Sequence, residues 1–251
     1  MSTTPSYLPT TNNLNLAYYQ NAGKSPGIIF CGGFMSDMTG AKAMALETFC
    51  QAQGQAFVRF DYQGHGQSEG EIAAGTIGQW LTDTLAVIDQ LTQGPQILIG
   101  SSMGGWLATL AALARPERIK GLITIAAAPD FTEELIWQQL PLAEQTTLLT
   151  TGVLHVPHTY GATPYIFSWQ LIEEARQYLL LSEPIALDIP VRLFHGMQDP
   201  DVPWQFSLRL AENLVSKDVR IGLIKDGDHS LSRPQDLELL CQAVRELSKN
   251  I

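Results

Sequence analysis

The sequence of 251 residues predicts an α/β fold, in which a mostly parallel sheet is flanked by helices. Short apolar runs bounded by glycine or proline alternate with longer segments of helical periodicity, a pattern typical of a parallel sheet with helices on both faces. The apolar content of 45% is enough for a substantial core. The sequence has no low-complexity linker, charge block or internal repeat, so we expect one domain over residues 1–251.

The strands are predicted from the apolar runs, taken in chain order. They cover residues 27–31, 55–60, 96–100, 120–126, 191–195 and 219–224. A further segment, residues 14–20, is predicted as an edge strand. Helical patterns fill most of the gaps, for example at residues 81–91, which keep a 3.6-residue period, and at residues 106–114, which are rich in Ala and Leu. Pro234 is predicted to open an amphipathic helix whose buried stripe includes Cys241.

Residues 130–188 break this alternation. Within them, residues 131–149 and 169–181 look helical, whereas residues 150–167 have the Gly, Pro, Thr and aromatic content of a hairpin or an irregular segment. We interpret the whole stretch as a cap inserted into the single domain, over one end of the sheet. Its aromatic residues Trp137, Tyr165 and Phe167 are candidates for the walls of a substrate pocket, or for packing the cap onto the sheet.

Charge and hydropathy exclude several classes of partner. A net charge of −10 repels nucleic acid and anionic membrane surfaces, so no nucleic-acid partner is expected. No run reaches the roughly 20 apolar residues that a membrane span needs. The N-terminal residues 1–13 have neither the apolar region of a signal peptide nor the basic residues of a transit peptide, and we therefore expect a cytoplasmic location.

The cysteines and histidines do not predict a metal site or a cofactor. Cys31, Cys50 and Cys241 lie far apart without a CxxC spacing, which disfavours both a disulfide framework and a zinc site. They are expected to be small buried apolar residues. His155 and His158 lie in the insertion without ligand spacing around them, so no metal is expected there.

The predicted nucleophile is Ser102. Residues 97–106 form an apolar strand, a turn of small residues and the start of a helix, and the segment 100–104 fits the pattern G-x-S-x-G with Ser102 at its centre. Glycine permits a tight turn that presents the hydroxyl at the carboxyl end of the strand. The alternative is a plain tight turn in which Ser101 caps the helix.

A serine nucleophile needs a base, and that base needs a carboxylate to orient it. Asp199 follows the strand at 191–195 and His229 follows the strand at 219–224, so both lie on loops at the same sheet edge as Ser102. Asp199 is the preferred acid because of its spacing from Gly196. Three other carboxylates remain alternatives: Asp201, Asp226 and Asp228.

Two backbone amides are predicted to bind the oxyanion of the tetrahedral intermediate. Met103 follows the nucleophile at a helix N-terminus, where the helix dipole strengthens the interaction. Phe34 follows two glycines after the strand at 27–31, where the backbone can approach the serine closely. The alternative is a glycine turn without a catalytic role.

The motif G-S-S-M-G at 100–104, the loop D-Y-Q-G-H-G-Q-S at 61–68, Asp199 and His229 together resemble the α/β-hydrolase superfamily. Segments such as His195-Gly196-Met197 are most similar to the family of palmitoyl-protein thioesterases that also act as acyl-glucuronide esterases. The resemblance implies the α/β-hydrolase fold with a small cap insertion after the sixth strand. It also implies a triad of Ser102, Asp199 and His229, with fatty-acyl thioesters or acyl-sugar esters as substrates.

The functional prediction is a serine hydrolase that needs no cofactor and no metal. It would cleave a small-molecule carboxylic ester or acyl thioester through an acyl-enzyme, as a monomer or a small homo-oligomer. The alternative is a ligand receptor or interaction protein on the same fold, with slow turnover or none.

Overall fold

The computed structural model describes residues 4–157, 164–249 and 251. In chain order its strands are β1 (Ser6–Pro9), β2 (Asn15–Asn21), β3 (Lys24–Cys31), β4 (Gln55–Phe60), β5 (Gln96–Ser101), β6 (Ile119–Ile125), β7 (Val153–Val156), β8 (Tyr165–Ser168), β9 (Val191–Gly196) and β10 (Val219–Ile224). The α-helices are α1 (Ala41–Gln53), α2 (Ile77–Leu91), α3 (Met103–Ala114), α4 (Leu142–Thr151), α5 (Trp169–Ala175), α6 (Gln205–Asn213) and α7 (Pro234–Ser248).

Eight strands form one sheet in the order β1-β2-β4-β3-β5-β6-β9-β10. The pairs β1/β2 and β2/β4 are antiparallel, and all the other neighbours are parallel. The predicted mostly parallel sheet is therefore confirmed. Because parallel strands end at the same edge, the loops that follow β3, β5, β9 and β10 meet there, as open α/β sheets require for a binding site.

Both faces of the sheet are covered, which explains why its central strands are continuously apolar. In β3, Ile28 and Phe30 face a core that α1 and α7 close, whereas Ile29 and Cys31 face the core of α2 and α3. Cys31, Cys50 and Cys241 are buried free thiols, as expected. Within the described ranges, no helix has both the length and the apolar character that a bilayer crossing requires.

One expectation about the sheet's first edge is wrong, and one strand there was not predicted. The segment predicted as an edge strand, residues 14–20, forms β2 inside the sheet, because the unpredicted strand β1 pairs outside it. β1 was missed because it has four residues, of which Leu8 alone is buried, so it lacks the alternation that marks a strand.

The segment between β6 and β9 differs from the two long helices predicted for it. The first is divided into a π-helical turn (Thr132–Ile136), a 3₁₀ turn (Trp137–Gln139) and α4. Pro141, directly before α4, has no N–H and cannot continue the preceding turns. The second ends as α5 at Ala175 and continues as a 3₁₀ turn to Tyr178. β7 and β8 pair as an antiparallel hairpin, one of the two forms expected.

Asp130 connects the start of this segment to its end. Its buried carboxylate accepts hydrogen bonds from the amides of Leu180 and Leu181, both at 2.8 Å. Its own φ of 61° lies in the left-handed region, which Asp and Asn tolerate better than other side chains. One side chain thus joins parts of the chain that are 50 residues apart.

We expect Asp130→Ala to lower the free energy of unfolding by about 2–4 kcal/mol, because two buried amides lose their acceptor. Asp130→Asn is the matched control, since it tolerates the same φ and keeps one acceptor, and it should lose about half as much. Urea denaturation measures both. Equal stability of the Ala variant and the parent would show that these hydrogen bonds do not hold the segment.

Candidate active site

Ser102 lies at the turn between β5 and α3 in a backbone conformation that few side chains adopt, with φ 54° and ψ −122°. The turn is held on both sides: the Ser102 amide donates to the carbonyl of Ile125 at 2.9 Å, and its carbonyl accepts from Ala128 at 3.1 Å. Such strain persists only where the surrounding structure enforces it. The serine hydroxyl is thereby presented at the carboxyl edge of the sheet.

The absence of a side chain at Gly104 permits this turn. A Cβ at this position would lie 2.2 Å from the carbonyl oxygen of Cys31, which is backbone and cannot rotate away. Gly100 has the same restriction, because its Cβ would lie 2.2 Å from the Gly104 carbonyl oxygen. The two outer glycines of the G-x-S-x-G pattern are therefore needed for close packing between β5, α3 and β3.

Three predicted side chains meet at this edge in one hydrogen-bonded chain. The Ser102 hydroxyl lies 3.1 Å from Nε2 of His229, and Nδ1 of His229 lies 2.7 Å from Oδ2 of Asp199. Because a carboxylate only accepts, Nδ1 carries the hydrogen and Nε2 can accept the serine proton. The arrangement suits proton transfer from serine to histidine.

Asp199 is held by four donors. Oδ1 accepts from the amides of Asp201 and Val202, both at 2.9 Å, and Oδ2 accepts from His229 at 2.7 Å and faces His195 at 3.2 Å. Burial raises the pKa of this carboxyl, but the hydrogen bonds from the two histidines outweigh it and hold the pKa well below its usual range. Asp199 therefore stays ionised beside His229.

The other carboxylates considered from the sequence have different partners. Asp226 forms an ion pair with Arg233 at 2.7 Å. Asp228 accepts from the amides of Ser230 and Leu231, both at 3.0 Å. The backbone amide of Asp201 donates to Asp199, and although an Asp201 carboxylate oxygen lies within 4.8 Å of His229, it is Asp199 that is hydrogen-bonded to His229 Nδ1.

The loop after β3 comes close to the serine. A Cβ on Gly33 would lie 3.3 Å from that of Ser102, and the Gly33 amide is engaged by the Ser36 hydroxyl at 3.0 Å. No described residue accepts a hydrogen bond from the next amide, that of Phe34. The Phe34 ring is stacked on Phe167 with centroids 5.3 Å apart, which fixes this part of the loop. Met103 opens α3, so its amide is one that the helix leaves without an internal partner.

A cavity of about 650 Å³ opens beside Ser102 and His229. The segment after β6 and the hairpin contribute mainly apolar residues to its lining: Phe131, Leu135, Ile136, Val156, Tyr165 and Phe167. The β3–α1 loop, α1 and the loop of His229 contribute polar residues as well as the ring of Phe34: Ser36, Asp37, Lys42 and Ser230. The cavity lining is therefore mixed in polarity.

Two of the three candidate pocket residues, Tyr165 and Phe167, line this cavity. Trp137 is not among the lining residues, so of the two roles considered for it the structure favours packing. Its ring packs on Trp169 with centroids 5.0 Å apart, and the guanidinium of Arg176 lies over both rings. The indole is therefore engaged in holding the inserted segment together.

Two residues near the site were missed from the sequence. His195 was expected to pack or hydrogen-bond locally, and its contact with Asp199 is such a local hydrogen bond, but the link that this gives it to the site was not recognised. Its place four residues before the acid, at the end of a strand, was the available signal. Lys42 lines the cavity and donates to the Ser230 carbonyl at 2.5 Å. Burial lowers the pKa of Lys42 to about 8. Nothing in the local sequence of α1 distinguishes this lysine from a surface residue.

Among the described residues, one group could hold a metal ion by proximity: Asp199, Asp201 and His229, whose ligand atoms lie within 4.8 Å of one another. Two of them already belong to the serine's hydrogen-bonded chain. His158, considered earlier with His155, lies outside the described residues. Cys31 ends β3 directly before the loop of Gly33 and Phe34, but burial raises the pKa of its thiol to about 12, so it remains an unreactive thiol.

Comparison with known proteins identifies the family. The family model described as serine aminopeptidase S33 matches residues 27–164, more than half of the chain. The mouse mitochondrial palmitoyl-protein thioesterase ABHD10 is 44% identical over 96% of this chain and 82% of the relative. The human protein of the same name is 43% identical over 98% of this chain and 80% of the relative. The chain belongs to the α/β-hydrolase family.

Solved structures agree with membership of the α/β-hydrolase family. The mouse α/β-hydrolase domain-containing protein 10 matches with a TM-score of 0.91 at 43% identity, over 98% of this chain and 99% of that one. A protein from Agrobacterium vitis S4 matches with a TM-score of 0.93 at 37% identity, over 97% of this chain and 98% of that one. The sheet with its flanking helices is thus the α/β-hydrolase fold.

The comparison overturns the cytoplasmic location expected from the sequence, because the five mammalian α/β-hydrolase relatives are all named mitochondrial. The expectation rested on residues 1–13, which show neither signal-peptide nor transit-peptide features. Cellular location depends on targeting signals that receptors recognise, and the lack of such features in one short segment does not determine it.

Gly104→Ala is expected to destabilise the protein by about 3 kcal/mol, because the new Cβ must displace the backbone at the end of β3. Thermal unfolding measures the loss. Gly40→Ala is the matched control: its Cβ would lie 3.6 Å from the Asp37 carbonyl oxygen, an ordinary contact, and its φ of −60° suits alanine. Equal melting temperatures for the two variants would show that β3 yields to the added methyl group.

Proposed function

We propose that this α/β-hydrolase is a serine hydrolase that cleaves carboxylic esters or acyl thioesters through an acyl-enzyme. The observation that carries the proposal is the hydrogen-bonded chain from Ser102 through His229 to Asp199, whose Ser102 and His229 line a cavity with apolar and polar residues. The same set of groups converts a weakly nucleophilic hydroxyl into an effective one in other serine hydrolases.

In the proposed reaction, His229 Nε2 takes the hydroxyl proton as Ser102 Oγ attacks the acyl carbonyl carbon. The negative charge that develops on the carbonyl oxygen is stabilised by the amides of Met103 and Phe34. The imidazolium, stabilised by Asp199, then gives its proton to the departing thiol or alcohol as the bond to the acyl carbon breaks. Water, deprotonated by His229, attacks the acyl-enzyme, and the acid leaves as Ser102 regains its proton.

The substrate class follows from the cavity walls together with the relatives. Aromatic and aliphatic side chains line the side formed by the inserted segment and suit an acyl chain, which gains about 0.8 kcal/mol for each methylene removed from water. ABHD10, the relative at 43–44% identity, is named a palmitoyl-protein thioesterase. We therefore infer a fatty-acyl ester or thioester, with residues 130–188 acting as a cap that shapes the acyl side.

The proposal is tested with p-nitrophenyl esters from acetate to palmitate and with the matching acyl thioesters. We expect kcat/KM to rise with chain length, by up to about fourfold for each buried methylene. Ser102→Ala should reduce turnover at least about 10⁴-fold and should no longer be labelled by a fluorophosphonate. Saturable binding of the esters without release of acid would contradict the proposal and favour a ligand receptor.

The acid is tested separately. Asp199→Asn should lower kcat about 10³- to 10⁴-fold, because an amide cannot hold His229 in the required tautomer or stabilise its cation. Asp226→Asn makes the same chemical change three residues before His229, in an exposed carboxylate paired with Arg233, and should stay within about twofold of the parent. Steady-state kinetics on one ester measure kcat for both variants. Similar losses of kcat in the two variants would argue against Asp199 as the acid of the triad.

A further inference from the structure

His195 is a fully buried side chain at the end of β9, held between polar partners on two sides. Nδ1 lies 2.7 Å from Oγ of Ser207, and Nε2 lies 2.9 Å from the carbonyl oxygen of Val202 and 3.2 Å from Oδ2 of Asp199. A carbonyl and a carboxylate can only accept, so Nε2 carries a hydrogen. In the neutral ring, Nδ1 then accepts from the Ser207 hydroxyl.

The same Oδ2 of Asp199 accepts from His229, so two imidazoles converge on one carboxylate oxygen. Each imidazole has a serine on its far side, which gives the sequence Ser207, His195, Asp199, His229, Ser102. The Ser102 end lines the cavity, whereas Ser207 is fully buried. The His195 half is therefore closed to substrate and can act only through Asp199.

We propose that His195 is a positioning residue, whose Nε2–H orients Asp199 and limits how strongly that carboxylate stabilises the imidazolium form of His229. This assignment rests on the proposed function, in which His229 is the base. A carboxylate oxygen that already accepts one N–H has less charge available for a second donor. Removal of the first donor should therefore strengthen the hold of Asp199 on cationic His229, and should also leave the carboxylate freer to rotate.

These two effects are separable by measurement. If Asp199 stabilises cationic His229 more strongly, His229 loses its proton and becomes an active base only at higher pH. The acidic limb of the plot of kcat/KM against pH should therefore shift to higher pH. A less fixed carboxylate lowers kcat without changing substrate binding, because the acid does not touch the substrate. A residue that merely filled space would produce neither the pH shift nor a selective loss of kcat.

The charged groups around this pair remain the same in every variant. Asp201 comes from the same loop as Asp199, Asp228 precedes His229 in the chain, and Tyr165 and Lys42 line the cavity from β8 and α1. Burial lowers the pKa of Lys42 to about 8, which places its titration on the alkaline side of the profile. The residues against His195 from α6 and β10, Ser207 and Leu223, do not titrate in this range.

The experiment compares His195→Gln with His195→Met. The glutamine amide reaches about as far as Nε2 and can donate to Asp199, whereas methionine has a similar length and no N–H. We measure kcat, KM and the pH dependence of kcat/KM on one p-nitrophenyl ester, with Ser102→Ala as the blank. The Met variant should lose kcat roughly tenfold at unchanged KM, and its acidic limb should rise by about half a pH unit. In the Gln variant the acidic limb should lie at the same pH as in the parent.

An acidic limb that stays in place in the Met variant overturns the proposal, even if kcat falls, because the role is then only structural. Equal profiles for Gln and Met overturn it too. If the Met variant does not fold, Ser207→Ala tests the proposal instead. This variant keeps His195 but removes the hydroxyl that donates to Nδ1. Its acidic limb should shift in the same direction as in the Met variant, by a smaller amount. Hydrolysis that persists in Ser102→Ala contradicts the proposed function itself and is recognised independently of any pH profile.

Discussion

The close packing around the positive-φ turn at Ser102 is the constraint on which the rest of the site depends. A side chain at Gly104 would meet the backbone at the end of β3, so the absence of that side chain sets how near α3 lies to the loop that follows β3. Gly33 also lies against Ser102, since a Cβ on Gly33 would lie 3.3 Å from that of Ser102. The backbone of the turn is hydrogen-bonded to Ile125 and Ala128. These hydrogen bonds to neighbouring parts of the sheet edge help to keep Ser102 in its strained conformation.

The environment of Asp199 shows how one fold gives similar carboxyl groups opposite properties. Burial raises the pKa of Asp61 and of Asp83 to about 6, although each accepts hydrogen bonds from backbone amides. Asp199 is also buried, but its pKa is low because the hydrogen bonds from the side chains of His195 and His229 outweigh the effect of burial. Asp61 and Asp83 accept no hydrogen bond from an imidazole of the described residues, and for these two carboxyls burial is the dominant cause.

The sequence predicted features that depend on local patterns and missed those that depend on contacts between distant residues. The six apolar runs and the turn at Ser102 could be found because burial on both faces and a tight glycine turn leave marks within a few residues. β1 could not be found, because its four residues lack the alternation of buried and exposed positions and its strand conformation depends on pairing with β2. For Trp137 the sequence left pocket wall and packing open, because an aromatic residue has the same local pattern whether it lines a cavity or packs on another ring such as Trp169. The hydrogen bond from the Leu180 amide to Asp130 likewise leaves no pattern in the sequence around either residue.

The mixed polarity of the cavity lining fits the order of steps in the proposed acyl-enzyme reaction. The apolar lining residues can hold the acyl chain while the ester bond at Ser102 persists, and this binding excludes water from the chain. Deacylation in that reaction still needs one water molecule beside His229, and Ser36, Lys42 and Ser230 give the same cavity polar groups. Once the thiol or alcohol has left, water can enter where it departed. A cavity with apolar walls all round would hold the acyl group equally well, but it would slow the second half of the reaction.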